Sequence, residues 1–593
     1  MNKKSITLCL LLILMLILPL SAVNMQKIFP IESDVYEALT FLYMEQGKSV
    51  PSSSGPWSAD ELMKMLDRIN RASLSPGGRN TYDYVQRELA EPPKSQPSNS
   101  FGYSFGLDVA LEGYMHTNID DPGFFTDERD WVNDFETRDP FLNIPFETWA
   151  TDMFYGYFAL PITINQFGDT NETASVFNHS FTTNVFLVPP NELMDLNRNI
   201  PYRAFASAGG EHWNLQLGRD RVSWGSGQTG NLMIGGHMQY NDFLKFTTYH
   251  NTYKFTSIAM AFPHPLDYGY GQVDVSGDPT GVIGEPDGQD GTIDGIRMYI
   301  GHRLEFKFLD IINITVTEGL MYMSEDNSFD FRLLNPLSLY HNTNNSANSN
   351  SIFGLDIEVN PWENISVYGQ FVIDELTIPE FQFPAPPNAS GFLGGIKAII
   401  PLKQGTLYGG LETAYTDPYL YLRSSDGTHN QQIGEYGVNY VVGIREFSAA
   451  ENVSIMEDFL GYEYGNDAIV LNLNGGYTVF DKFRVEGNIF YMMHGTHDMY
   501  TLWEKGISMD SNDPSIVTTP TSDPASDNHI PISNTRGSVE HTLKLGLKGS
   551  YNILDNFKVY GQVDWLHKIN PGNFSTNDPE SDLQISLGAA YSL

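Results

Sequence analysis

The sequence predicts an all-β transmembrane antiparallel barrel of about 16–18 strands with a small N-terminal α-helical region. Three observations carry that prediction. Apolar and polar residues alternate along many segments, the period of a strand with one wet face and one greasy face. Beyond the first ~20 residues no apolar run is long enough to cross a bilayer as a helix, and a spanning sheet must then close on itself so that no edge meets hydrocarbon. Short turns alternate with long polar loops, the connection pattern of outer-membrane barrels. Composition alone does not decide: 41% hydrophobic residues, 53 Gly, 32 Tyr and 36 Phe also suit a large soluble β-protein.

Residues 1–22 read as a secretory signal. Lys3 and Lys4 form its positive start, Ile6 to Leu20 its apolar run, and Ser21-Ala22 a small-residue cleavage site. Residues 31–90 read as a helical periplasmic region. Asp34 with Glu37 makes a possible capping box, Val35, Ala38, Leu39, Leu42 and Tyr43 share a helical face, and Gly47 ends the helix. Ser58 with Glu61 makes a second box before Leu62, Met65, Leu66 and Ile69, and a third helix is expected around Thr81–Leu89. Residues 91–100, rich in proline, read as a linker. This region is open to two readings, a cap under the barrel or a module that holds the membrane to the cell wall.

The barrel is expected from residue 101 to 593. Four hairpins stand out: Ile352–Val359 with Ile365–Ile373, Leu393–Ile400 with Leu407–Tyr415, Ile469–Tyr477 with Phe483–Tyr491, and Leu543–Tyr551 with Phe557–Trp565. In the last strand Leu583, Ile585, Leu587, Ala589, Tyr591 and Leu593 share one face, like a barrel-insertion signal, although the terminal residue is Leu where Phe is usual.

The formal charge of −38 argues against nucleic-acid binding through phosphate neutralisation. Acidic stretches such as Asp120–Asp139 and Asp510–Asp527 read as solvated loops. The only cysteine, Cys9, falls in the signal, so the mature chain has no disulfide to rely on. Asp287, Asp290 and Asp294 among glycines suggest a weak calcium loop, but no Glu closes it as in an EF-hand. With no zinc spacing, phosphate loop or nucleophile elbow, neither catalysis nor a cofactor is expected.

The segment Trp213–Phe255 joins strand alternation to a charged cluster: Trp213, Leu215 and Leu217 alternate with Asn214 and Gln216, then Gly218, Arg219, Asp220, Arg221 and Trp224 follow. Three further strings come after it: Gly301-His302-Arg303-Leu304-Glu305, Asn335 to Asn342 (NPLSLYHN), and Tyr368 to Glu375 (YGQFVIDE). In kind and order the four resemble the Wzi family of outer-membrane capsule-assembly proteins. That resemblance implies an outer-membrane barrel with a largely closed lumen and a helical cap. It implies retention of exported capsular or other surface polysaccharide, with surface polysaccharide, outer-membrane lipids and barrel-assembly machinery as partners of a monomer. A diffusion porin for small solutes is the alternative.

Candidate ligand-binding residues, in the lumen or at its rim, are Arg219, Arg221, Trp224, Arg303, Asp374 and Glu375. Arginine forks bind carboxylates and tryptophan stacks on a pyranose. The same Arg219–Asp220–Arg221 string can equally be an Arg–Asp network pinning a strand end. Asp374 and Glu375 point to opposite faces of a strand and cannot form a glycosidase's facing pair, so a bridge to Arg219 or Arg303 is expected for them.

Overall fold

The structure, a computed structural model, describes residues 24–98, 100–117, 131–133, 137–163, 181–185, 200–263, 296–324, 329–343, 349–376, 388–422, 438–449, 452–499 and 538–593. The secretory signal, the calcium-loop candidates Asp287, Asp290 and Asp294, the Asp510–Asp527 run and most of Asp120–Asp139 lie outside them.

Eighteen antiparallel strands close into a barrel. In chain order they are β1 Asp108–His116, β2 Leu142–Ala150, β3 Phe154–Ile162, β4 Arg203–Gly210, β5 Trp213–Asp220 and β6 Asn241–Tyr249. Next come β7 Tyr253–Phe262, β8 Ile296–Phe308, β9 Ile312–Ser324, β10 Ser349–Trp362, β11 Ile365–Glu375 and β12 Ala389–Pro401. The last six are β13 Thr406–Thr416, β14 Ala468–Val479, β15 Phe483–His494, β16 Glu540–Leu554, β17 Phe557–Ile569 and β18 Glu580–Ser592. Each strand pairs with the next, and β18 returns to β1, with Ser592 opposite Asp108 and Gln584 opposite His116. All four hairpins read from the sequence are neighbouring strands of this wall.

Alternation sorts the side chains. Large apolar residues such as Leu217 (59% exposed), Leu547 (58%) and Leu587 (66%) point outward, which only a hydrocarbon surround makes favourable over so many strands. Along β10, Asp356, Glu358 and Asn360 point inward between outward Leu355, Ile357 and Val359. Polar side chains inside a wall of this kind must find partners.

Those partners come first from the N-terminal region. Helix α1 spans Asp34–Glu45, α2 Ala59–Leu66 and α3 Pro76–Leu89. Ser33, not Asp34, caps α1, accepting from the Val35 amide at 3.3 Å: Asp34 is already helical, so its side chain lies past the cap position. Ser58 caps α2 through the Glu61 amide at 3.3 Å. Helix α3 starts earlier than its hydrophobic spacing suggests, because Ser75 caps it and Pro76 supplies a preset first turn. Within residues 91–100, Ser95–Ser98 pairs with Phe101–Phe105, and that short strand in turn pairs with β2.

The helices pack against one another and close the short-turn end of the barrel. Arg484 holds Asp34 and Glu37, Arg87 holds Asp481, and Asn364 donates its amide to the Met44 carbonyl at 2.6 Å. Between α1 and α2 the chain rises into the lumen, where Arg303, Glu305, Lys245 and Lys254 of β6 to β8 grip it. Ser53 donates its amide to Glu305 at 2.8 Å, Lys254 pairs with Glu61 at 2.7 Å, and Lys245 donates to the Pro56 carbonyl at 2.6 Å.

Candidate functional site

The β5–β6 connection enters the lumen from the opposite, long-loop end. Ser223–Trp224 pairs antiparallel with Ser54–Gly55 of the N-terminal segment, and the Gly225 amide donates to the Ser53 carbonyl at 2.8 Å. Gly225 has φ +140, and a Cβ there would lie 2.0 Å from Gln370 Nε2, so only glycine fits this crossing. Glu412 anchors the tip, accepting from the Gln228 and Thr229 amides at 2.7 Å each. The β13–β14 connection folds over it, with Tyr421 donating to the Leu232 carbonyl at 2.6 Å. Trp224, Leu232, Ile234, Tyr421, Leu460 and Tyr462 then form one apolar cluster with inward residues of the wall. Among the described residues the lumen is therefore filled from both ends.

The sequence candidates fall in several places. β5 stays in register through Asp220, with Arg219 opposite Ala204 on one side and Asp242 on the other. Strand parity therefore turns Arg219 outward with Leu215 and Leu217, while Asp220 points inward and is fully buried. Each takes its own partner: Arg219 forks onto Asp242 at 2.6 and 2.8 Å, and Arg203 forks onto Asp220 at 2.7 and 3.2 Å. The Arg219 guanidinium lies 4.1 Å over the Tyr240 ring, which stacks with Tyr202. This rim at the long-loop end combines an arginine with two tyrosine faces.

Arg221, two residues on, has turned into the lumen, where it meets Glu32 and donates to the Gly236 carbonyl at 2.5 Å. It lines a cavity of about 320 Å³ with Tyr36, Trp57, Glu358 and Lys397. Tyr36 and Trp57 are stacked 3.8 Å apart. Burial pushes the Tyr36 hydroxyl well above its ordinary range, so it stays protonated and donates to the Ser52 carbonyl at 2.6 Å. Trp224 is wholly buried beside this cavity.

Arg303, fully buried, bridges wall and N-terminal segment. It pairs with Asp356 at 2.7 Å and donates to Ser53 at 2.9 Å and Thr317 at 3.1 Å. Asp374 accepts from Asn350 at 3.0 Å, and Glu375 sits at a register shift against Ala389. The arginines named as partners for these two acids are thus paired elsewhere: Arg219 with Asp242 directly across the ladder, and Arg303 with Asp356 two strands away. Arg219 and Arg303 also lie on opposite faces of the wall, so the six residues make no single cluster. Sequence reasoning missed Tyr202, Tyr240, Tyr36, Trp57, Glu358 and Lys397. Only the two wall residues carried a signal, as charges alternating with outward apolar residues along their strands.

Closed strands, a lipid-facing exterior and polar fill define an outer-membrane β-barrel protein. The chain is similar in fold to Wzi of Escherichia coli, a carbohydrate-binding outer-membrane β-barrel involved in group 1 capsule assembly. That match has 12% identity over 95% of this chain and 98% of that one, with a TM-score of 0.53. The outer-membrane channel DcaP of Acinetobacter baumannii matches at 8% identity over 84% and 99% of the two chains, TM-score 0.33. OprD of Pseudomonas aeruginosa matches at 9% identity over 83% and 95%, TM-score 0.34. No protein-family model and no curated protein sequence matches the chain.

Proposed function

We propose that this barrel holds an exported polysaccharide at the cell surface by binding, without catalysis. The filled lumen carries the reading: a diffusion pore needs a continuous water path, whereas here the N-terminal segment and the β5–β6 connection share a ladder inside the barrel. The resemblance in fold to a carbohydrate-binding barrel points the same way. The outer rim supplies suitable chemistry: a sugar carboxylate would compete with Asp242 for the Arg219 guanidinium, and the partly exposed Tyr202 and Tyr240 beside it offer aromatic surface to a pyranose ring. Each contact is weak, and a long polymer adds avidity.

Deleting the gene should release surface glycan into the medium while total glycan stays nearly unchanged. Unchanged attachment together with reduced uptake of a small nutrient would establish the porin reading instead.

A further inference from the structure

The β9–β10 connection does something the lumen fill does not explain. Ile300, Leu320 and Tyr322 occupy outward positions, alternating with inward Tyr299, Met321 and Met323, yet they are 1%, 0% and 5% exposed. Residues 329–343 cover them, packing Leu333, Tyr340 and Phe329 onto the outside of the wall. Residues 329–343 are therefore a flap laid on the barrel's exterior.

Beneath it lies a polar pair that lipid would not tolerate. His302 and Glu318 both face outward, 3.4 Å apart, level with exposed Phe353 on the next strand. Tyr340 sits 5.0 Å from the His302 ring, and Glu318 accepts the His341 amide at 3.0 Å. Several amides of the flap are paired as well. Leu333, Asn335 and Ser338 donate to carbonyls of the same segment, Arg332 and Leu337 to the side chains of Asp330 and Asn335, and Pro336 has no N–H to satisfy. Irregular backbone survives beside hydrocarbon only when its polar groups are paired in this way.

Away from the wall point Phe331, Leu334, Leu337 and Leu339, exposed by 79, 44, 85 and 60%, while the exposed Arg332 among them folds back onto Asp330 at 2.6 Å. They extend the outward apolar band of Val316, Phe353 and Leu355. We propose that this flap is embedded in the outer leaflet, and that these four side chains contact the acyl chains of membrane lipid. Continuity with the lipid-facing wall and the paired amides identify the occupant.

The test uses the full mature chain, in which Leu337→Cys or Leu339→Cys is the sole cysteine because Cys9 lies in the leader. Each variant is labelled with bimane and reconstituted in phosphatidylcholine vesicles with or without an acyl-chain nitroxide. Leu547→Cys on the wall is the lipid-facing reference. The expected result is a loss of fluorescence to the nitroxide lipid as large as at position 547, with little loss to aqueous iodide. Strong iodide quenching without lipid quenching would overturn the proposal. Protection from both quenchers would also overturn it, and cysteine cross-linked dimers would then identify a second copy as the cover.

Discussion

At the scale of single residues, two arginines close in sequence pattern differ in energetic weight. Arg303 neutralises the fully buried Glu305 and the largely buried Asp356. Arg303→Met should therefore lower stability by about 3–5 kcal/mol, because it leaves buried acids unpaired; the heat-modification midpoint on gels would report it. Arg219 sits partly exposed at the rim beside the more exposed Asp242, and Arg219→Ala should change stability by less than ~1 kcal/mol while reducing glycan retention. Equal stability losses would show that the rim pair is structural rather than a binding surface. Arg303 was legible as a lumen candidate because it stands in the Gly301–Glu305 string that carries the family resemblance. Its partner was not legible, since register across a closed sheet depends on loop lengths and turns.

At the scale of elements, the strands were legible where one face is apolar and the other polar, and the four clean hairpins follow that rule. The helices were legible from capping and spacing, except at Ser75-Pro76, where a start signal stands without an apolar periodicity. What sequence could not give was the travel of the Val50–Trp57 segment and the β5–β6 connection into the lumen, because neither carries a regular pattern. Helix α1 meets β15 through Glu37 and Arg484. Burial raises the Glu37 carboxyl above its ordinary range, against the pull of Arg484. A raised folded-state value means this group's stabilising contribution is present below the ordinary carboxylate range and is lost as pH rises through the raised value. Stability against unfolding, measured across that window, should fall with rising pH, and Glu37→Gln should flatten the slope. An unchanged slope would assign the dependence to another group. Removing residues 24–98 should turn an electrically silent barrel into one with steady conductance in a planar bilayer; continued silence would mean that the long-loop segments close the lumen unaided.

For the whole molecule, the wall closes only when β18 reaches β1, and its exterior is built for lipid. The protein should need detergent for extraction and should migrate differently on gels before and after boiling; a mature chain that stays in solution without detergent would contradict the fold. The same closure orders events in time. The N-terminal segment leaves the ribosome first, but its counter-charges on β6 to β8 arrive later and the strand that completes its enclosure arrives last. Until then Ser53, Ser54 and Glu61 have no housing, and the waiting intermediate exposes both a polar insert and two open strand edges. Such an intermediate is exposed to proteolysis, and a truncation that removes only the final strand is expected to be degraded rather than accumulate as a slightly smaller barrel.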